Sequence, residues 1–357
     1  MWQENRVTKA LGIQFPIIQG PFGGGFSSVP LVAAVSNAGG LGSFGAHNLT
    51  PDEILATAAE IRKHTDKPFA LNLWVSVVDA GGEGLDAEAY RSALDYFAPH
   101  YEALGLTPPG MPENHIENYE AQVEAVIEAS PAVFSFVFGI PSADVLRRCR
   151  EAGIKTLGAV TTVDEARAME AAGVDIVLAT GPEAGGHRPS FIKRAEESLV
   201  GTLALVPAVR DAISLPLVAA GGIADARGVA AAMTLGADAV QMGTAFLACQ
   251  ESNTTDAHRQ WIFESKAEDT TLSRAFTGRL ARFRRNRFTK ETDKALPFPL
   301  QAWFTGPMKK AALQQGNADL ASLYAGQGAP LLTHKHAQDL VASLMRDVPT
   351  YLPNSNR

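Results

Sequence analysis

Short apolar runs recur along this chain at residues 16–19, 42–46, 69–75, 132–139, 155–160, 175–181, 217–220 and 239–243. Ala-rich segments with helical periodicity lie between most of them, at 29–37, 51–64, 142–152, 162–172, 201–212 and 225–235. Runs that are apolar throughout suit strands covered on both faces, as in a parallel sheet wrapped by helices. Strand–helix alternation repeated eight times predicts a (β/α)8 TIM barrel. An open doubly wound sheet is the alternative, but its Gly-x-Gly-x-x-Gly turn after the first strand is absent. Gly23-Gly24-Gly25 occupies that place with different spacing.

Two segments interrupt the alternation. Residues 78–119 carry Gly81-Gly82, Pro108-Pro109-Gly110 and Pro112, and read as a partly helical excursion after the third strand. Residues 250–300 follow the eighth strand. Both are expected over the C-terminal face of the barrel, where long loops build lids and substrate walls. The expected organisation is a barrel over 1–249, an inserted substrate-covering segment over 250–300 and a helical tail over 301–357 packing on the barrel.

Composition narrows the function. The net charge is −7, from 31 basic and 38 acidic residues, and no long basic run suggests nucleic acid. The two cysteines, Cys149 and Cys249, have no Cys-x-x-Cys spacing, so neither a disulfide framework nor a zinc site is expected. No apolar leader and no run of membrane-spanning length is visible. The expected compartment is the cytoplasm, with no membrane and no metal. Nothing in the sequence separates a monomer from a homo-oligomer.

Chemistry concentrates at two glycine pairs that follow apolar runs. After the sixth run comes Pro182-Glu183-Ala184-Gly185-Gly186-His187-Arg188. Glycines let backbone approach a ligand where a Cβ would intrude, and an imidazole beside them is a candidate general base. A Gly-rich turn with a surface histidine is the competing reading. After the seventh run comes Gly221-Gly222, and the eighth ends in Gln241-Met242-Gly243-Thr244. In (β/α)8 barrels these last two loops supply backbone N–H groups to a phosphate, so a phosphate-bearing cofactor is expected.

The chain resembles the nitronate monooxygenases, 2-nitropropane dioxygenase-like flavoproteins. The matching stretches are Leu11-Gly-Ile-Gln-Phe-Pro-Ile-Ile-Gln-Gly-Pro, Val32-Ala-Ala-Val-Ser-Asn-Ala-Gly-Gly-Leu-Gly-Ser, Lys67-Pro-Phe-Ala-Leu-Asn-Leu, Glu183-Ala-Gly-Gly-His-Arg, Val218-Ala-Ala-Gly-Gly-Ile, Gly236-Ala-Asp-Ala-Val-Gln-Met-Gly-Thr-Ala-Phe and Ala325-Gly-Gln-Gly. The resemblance implies FMN as cofactor and oxidation of alkyl nitronates, or of nitroalkanes, by O2 to carbonyl compounds and nitrite. It implies His187 as the catalytic base. It places Asn72 and Thr180 beside the flavin, and Gly185, Gly186, Gly221, Gly222, Gln241, Met242, Gly243 and Thr244 along its phosphate and ribityl chain. The wider FMN-barrel group also contains NAD(P)H-dependent reductases of quinones and enoyl thioesters, which is the alternative function. A non-catalytic flavin-binding protein is a third reading, disfavoured by His187.

Three positions depart from the resemblance. Thr180 stands where relatives often carry Gln, Val137 where they often carry His, and Gly306 where a Lys appears, with Lys309 and Lys310 close by. The basic run Arg279, Arg282, Arg284, Arg285 and Arg287 reads first as a solvated face. Its alternative is an anion guide for a nitronate, in which Arg279 and Arg282 would contact substrate.

Overall fold

The computed structural model describes residues 2–111 and 117–353. The barrel strands are β1 (Ile17–Gln19), β2 (Gly42–Gly45), β3 (Phe69–Trp74), β4 (Val133–Val137), β5 (Lys155–Val160), β6 (Ile176–Thr180), β7 (Leu217–Ala220) and β8 (Ala239–Met242). Each pairs in parallel with its neighbour in sequence. β8 returns to β1 with Ile17 opposite Val240, and a parallel bridge from Ile18 to Leu41 joins β1 to the start of β2. The chain is therefore a (β/α)8 TIM barrel.

Side chains alternate along each strand, and the two faces sort accordingly. Phe134 and Phe136 of β4 point into the layer between sheet and helices, with Val126, Leu146 and Met169. Val133 points inward, with Leu157, Ile176, Val218 and Ala239. A helix at Arg6–Leu11, not legible as a barrel unit, inserts Val7 and Leu11 into that inner cluster. It plugs the end where the strands begin. The helix Ala337–Tyr351 completes the outer layer, burying Leu340, Val341, Leu344 and Val348.

Local chemistry sets the helix starts. The helix Pro51–His64 has a Thr50/Glu53 capping box and proline in its first turn. The helix Ala226–Thr234 is capped by Asp225, which accepts from the N–H groups of Arg227 and Gly228.

Above the strands' C-terminal ends sits a second hydrophobic core. Phe97 and Tyr101 from the helix Ala87–Ala103 meet Phe276, Phe283 and Phe288, and Phe304 and Met308 from the helix Leu300–Gln314. The excursion after β3, the segment after β8 and the first part of the tail thus pack as one body. Pro112, one of the expected breakers, lies outside the described residues. A small antiparallel sheet ties this body to the barrel. Ala281–Arg284 pairs with Thr270–Ser273 on one side and with Gly186–His187 on the other.

Candidate active site

A cavity of about 290 Å3, open to solvent, lies where the strands end. That is close to the lower end of the ~300–1,000 Å3 typical of ligand pockets. Its walls come from every barrel strand end and from the upper body.

His187 does not sit on a strand end, as its place after an apolar run suggested. β6 stops at Thr180, and the chain turns through Pro182–Gly185. His187 then joins the small sheet, opposite Ala281. Gly186 makes this possible, with φ of +82°. His187 Nε2 lies 2.9 Å from Thr277 Oγ1. Thr277 Oγ1 is also within hydrogen-bond reach of the Arg279 carbonyl, at 3.2 Å. If the hydroxyl proton goes to that carbonyl, the threonine accepts from Nε2–H and leaves Nδ1 as the basic nitrogen. The ring packs edge-on to Trp74, with centroids 5.0 Å apart, and near Phe138 and Tyr324. Burial, and then nearby Arg279, His47 and Lys309, hold its pKa well below the ordinary histidine value. The imidazole is neutral at pH 7.

A cradle of backbone lines the same cavity. Gly221 and Gly222 follow β7 with φ of +112° and +72°. A Cβ on Gly221 would lie 2.6 Å from Thr202 Oγ1, so that position is restricted to glycine. At Gly243 a Cβ would meet nothing within 4 Å, so the backbone there faces open cavity. The N–H groups of Gly222, Gly243 and Thr244 take no part in hydrogen bonds among the described residues. This is the donor set a phosphate needs. Asn72 and Thr180 line the same cavity, with Asn72 Nδ2 donating to Ser135 Oγ at 3.0 Å. Gln241 lines it as well.

Residues 4–347 match the family described as nitronate monooxygenase. The chain belongs to the nitronate monooxygenase family. It is similar to a probable nitronate monooxygenase of Staphylococcus aureus, 38% identical, with 98% of each chain covered. It is also similar to the solved nitroalkane oxidase of Streptomyces ansochromogenes, at 36% identity and a TM-score of 0.88, covering 97% of this chain and 98% of that one. FabK of Thermotoga maritima is similar at 30% identity and a TM-score of 0.75, with 97% and 96% covered. Membership of this family makes the protein an oxidoreductase.

Several expected site residues have other surroundings. Met242 is fully buried in the layer between sheet and helices, because alternation along β8 turns it away when Gln241 faces the cavity. Gly185 reaches the cavity wall, but its missing Cβ serves the tail. A Cβ there would lie 2.6 Å from the Ala325 carbonyl carbon. Arg279 does not line the cavity. Its guanidinium forms a 2.6 Å ion pair with Asp79 and lies between the Phe138 and Phe298 rings, 4.0 and 4.1 Å from their centroids. Arg282 is likewise held inside the protein, by the Pro182 carbonyl at 2.7 Å and Thr270 Oγ1 at 2.9 Å. Neither is free to guide an anion. Arg285 and Arg287 are exposed, as a solvated run would be.

The cavity also holds His47 and Tyr324, which the sequence did not single out, and Lys309, one of the two lysines close to Gly306. His47 stacks on Trp74 at 4.0 Å, with its Nδ1 buried and without a partner among the described residues, and burial lowers its pKa to about 3. A histidine at the C-terminal end of a barrel strand is itself a catalytic signal, so His47 was findable. Lys309 lines the cavity one helical turn beyond Gly306. No ion pair or hydrogen bond among the described residues engages its ammonium, and burial lowers its pKa to about 8. Tyr324, just before the Ala325-Gly326 stretch, adds a half-buried phenol. The helix Leu300–Gln314 decides which lysine reaches the site, and residue spacing alone left that open.

Proposed function

We propose that this protein binds FMN and oxidises alkyl nitronates with O2, yielding a carbonyl compound and nitrite, with His187 as base when the substrate is a neutral nitroalkane. The observation that carries this reading is the arrangement of one cavity. A neutral imidazole, an ammonium without an ion pair and a glycine cradle of N–H groups without acceptors, as judged among the described residues, line the same cavity. Bound FMN supplies the electron acceptor for the substrate carbon and the route of those electrons to O2. Gly222, Gly243 and Thr244 would hold its phosphate, and Asn72, Thr180 and Gln241 would border the rest.

The chain's own groups divide the remaining work. His187 Nδ1 takes the proton from the carbon bearing the nitro group. Thr277 orients the ring by accepting from Nε2–H. Lys309 meets the negative charge that appears on the nitro oxygens, or that a nitronate already carries. Trp74, Phe138 and Phe298 keep that charge in apolar surroundings, which strengthens its attraction to the ammonium.

The test is His187→Asn. Flavin should stay bound, since the cradle is elsewhere. Activity on neutral nitroalkanes should fall by about 10²–10⁴-fold, the range for general-base catalysis, and oxidation of preformed nitronate should fall far less. Equal losses on both substrates would overturn the assignment of His187 as base. Anaerobic bleaching of the flavin by NAD(P)H, without oxygen uptake on nitronates, would favour the reductase chemistry instead.

A further inference from the structure

Arg188 follows His187 directly and is the largest of the fully buried side chains, 1% exposed. It does not line the cavity, and it makes no ion pair among the described residues. Its guanidinium instead reads backbone. One Nη donates to the Gly181 carbonyl at 2.5 Å and the other to the Thr180 carbonyl at 2.7 Å. Both acceptors lie at the end of β6. Its own N–H donates to the Leu280 carbonyl at 2.8 Å, in the strand partner of His187. Its Nε is buried without a partner among the described residues.

The side chain thus bridges the two ends of the turn that delivers the base, residues eight apart in sequence. A second buried charge holds the next stretch. Glu165 is fully buried, and one of its oxygens accepts from the N–H groups of Phe191 and Ile192 at 2.7 and 3.2 Å. The other accepts from Thr161 at the end of β5, from N–H at 2.6 Å and Oγ1 at 2.8 Å. Arg188 and Glu165 therefore grip the His187 segment on either side, each through backbone.

Packing alone does not call for an arginine here. A hydrophobic side chain of similar volume would fill the space without burying a charge. What arginine adds is a rigid fork that spans two neighbouring carbonyls, which a lysine's single ammonium on a flexible stem cannot match.

We propose that Arg188 is a positioning residue for proton abstraction: by tying Thr180 and Gly181 to the residue after the base, it sets where the His187 ring stands. This rests on the reading of His187 as the base. Misplacement of a catalytic group by about 1 Å can cost roughly 10²-fold.

The experiment uses FMN-loaded enzyme carrying Arg188→Lys, with Arg188→Met as the stronger perturbation. Turnover of a neutral nitroalkane should fall by about 10- to 100-fold, mostly in kcat. Oxidation of preformed nitronate, which needs no proton removed, should change less than about threefold, and the flavin spectrum should be retained. Equal losses on both substrates, or no loss on the nitroalkane, would overturn the proposal. A second readout is independent of turnover: the ring 15N resonances of His187, assigned with His187→Asn. They should shift or broaden in Arg188→Lys as the contact with Thr277 loosens, and unchanged resonances would overturn the proposal. If the wild-type protein fails to oxidise nitronates, the functional reading falls, and the ring resonances still decide what Arg188 does. Should Arg188→Met not fold, Arg188→Lys carries both measurements.

Discussion

Asp79 and Arg279 meet at 2.6 Å although 200 positions separate them in the chain. The pair locks the loop after β3 to the turn beside Thr277, and it leaves a charge close enough to lower the pKa of His187, second only to burial. Arg279→Met removes that charge, so the His187 pKa should rise toward its ordinary value. The acid limb of kcat/KM on a neutral nitroalkane, which needs the neutral imidazole, should then move to higher pH. Asp79→Asn unmasks the guanidinium and should move it to lower pH. The two pH profiles check this, and shifts in the same direction would contradict it.

Two glycines in the cradle should separate folding from cofactor binding. Gly222 has φ of +72°, and a Cβ there would lie 3.2 Å from Glu183 Cβ. Gly222→Val should lose flavin and stability together, since a branched residue in that conformation costs roughly 1–3 kcal/mol. Gly243→Ala meets no protein atom within 4 Å. It should keep the Tm of the flavin-free protein and weaken only flavin binding. Flavin absorbance and thermal melts of both variants are the measurement. Unchanged flavin content in both would place the phosphate elsewhere.

Lys309 should make nitronate affinity depend on pH. Its pKa is lowered to about 8 by burial, so the ammonium is present below that pH and is lost above it. KM for preformed nitronate should therefore rise as pH climbs through 8. In Lys309→Met it should be higher, by about tenfold for loss of one charged partner, and flat across the same range. A KM that rises equally in wild type and variant would assign the dependence to another group.

The buried histidines should make the protein lose stability in acid. His258, whose Nε2 lies 2.9 Å from the Tyr324 carbonyl, has its pKa lowered to about 4 by burial, and that of His47 is lowered to about 3. The folded state thus keeps both neutral, whereas the unfolded chain protonates them near ~6.5. Proton uptake by the unfolded state lowers folding stability as pH falls below that value. The loss should continue down to about pH 4 for His258 and about 3 for His47. Urea midpoints at pH 7.5 and 5 would show it, and His258→Gln should flatten part of the difference. Equal midpoints in the wild-type protein would overturn the account.

The sequence by itself determined the barrel and much of its cradle. Strand positions followed from apolar runs, and Gly221, Gly222 and Gly243 from their place after the seventh and eighth runs, because periodicity and glycine freedom act locally. Only the tertiary structure decided what faces the cavity. Met242 was turned outward by strand alternation, and Arg279 and Arg282 were engaged by Asp79 and by backbone far away in the chain. Lys309 was brought in by a helix register that residue spacing left open. His187 is held by a strand from the segment after β8, and the Arg188 side chain is buried behind it. These outcomes depend on pairings between distant segments, and a side chain's partner across the fold leaves no mark on its own neighbours in sequence.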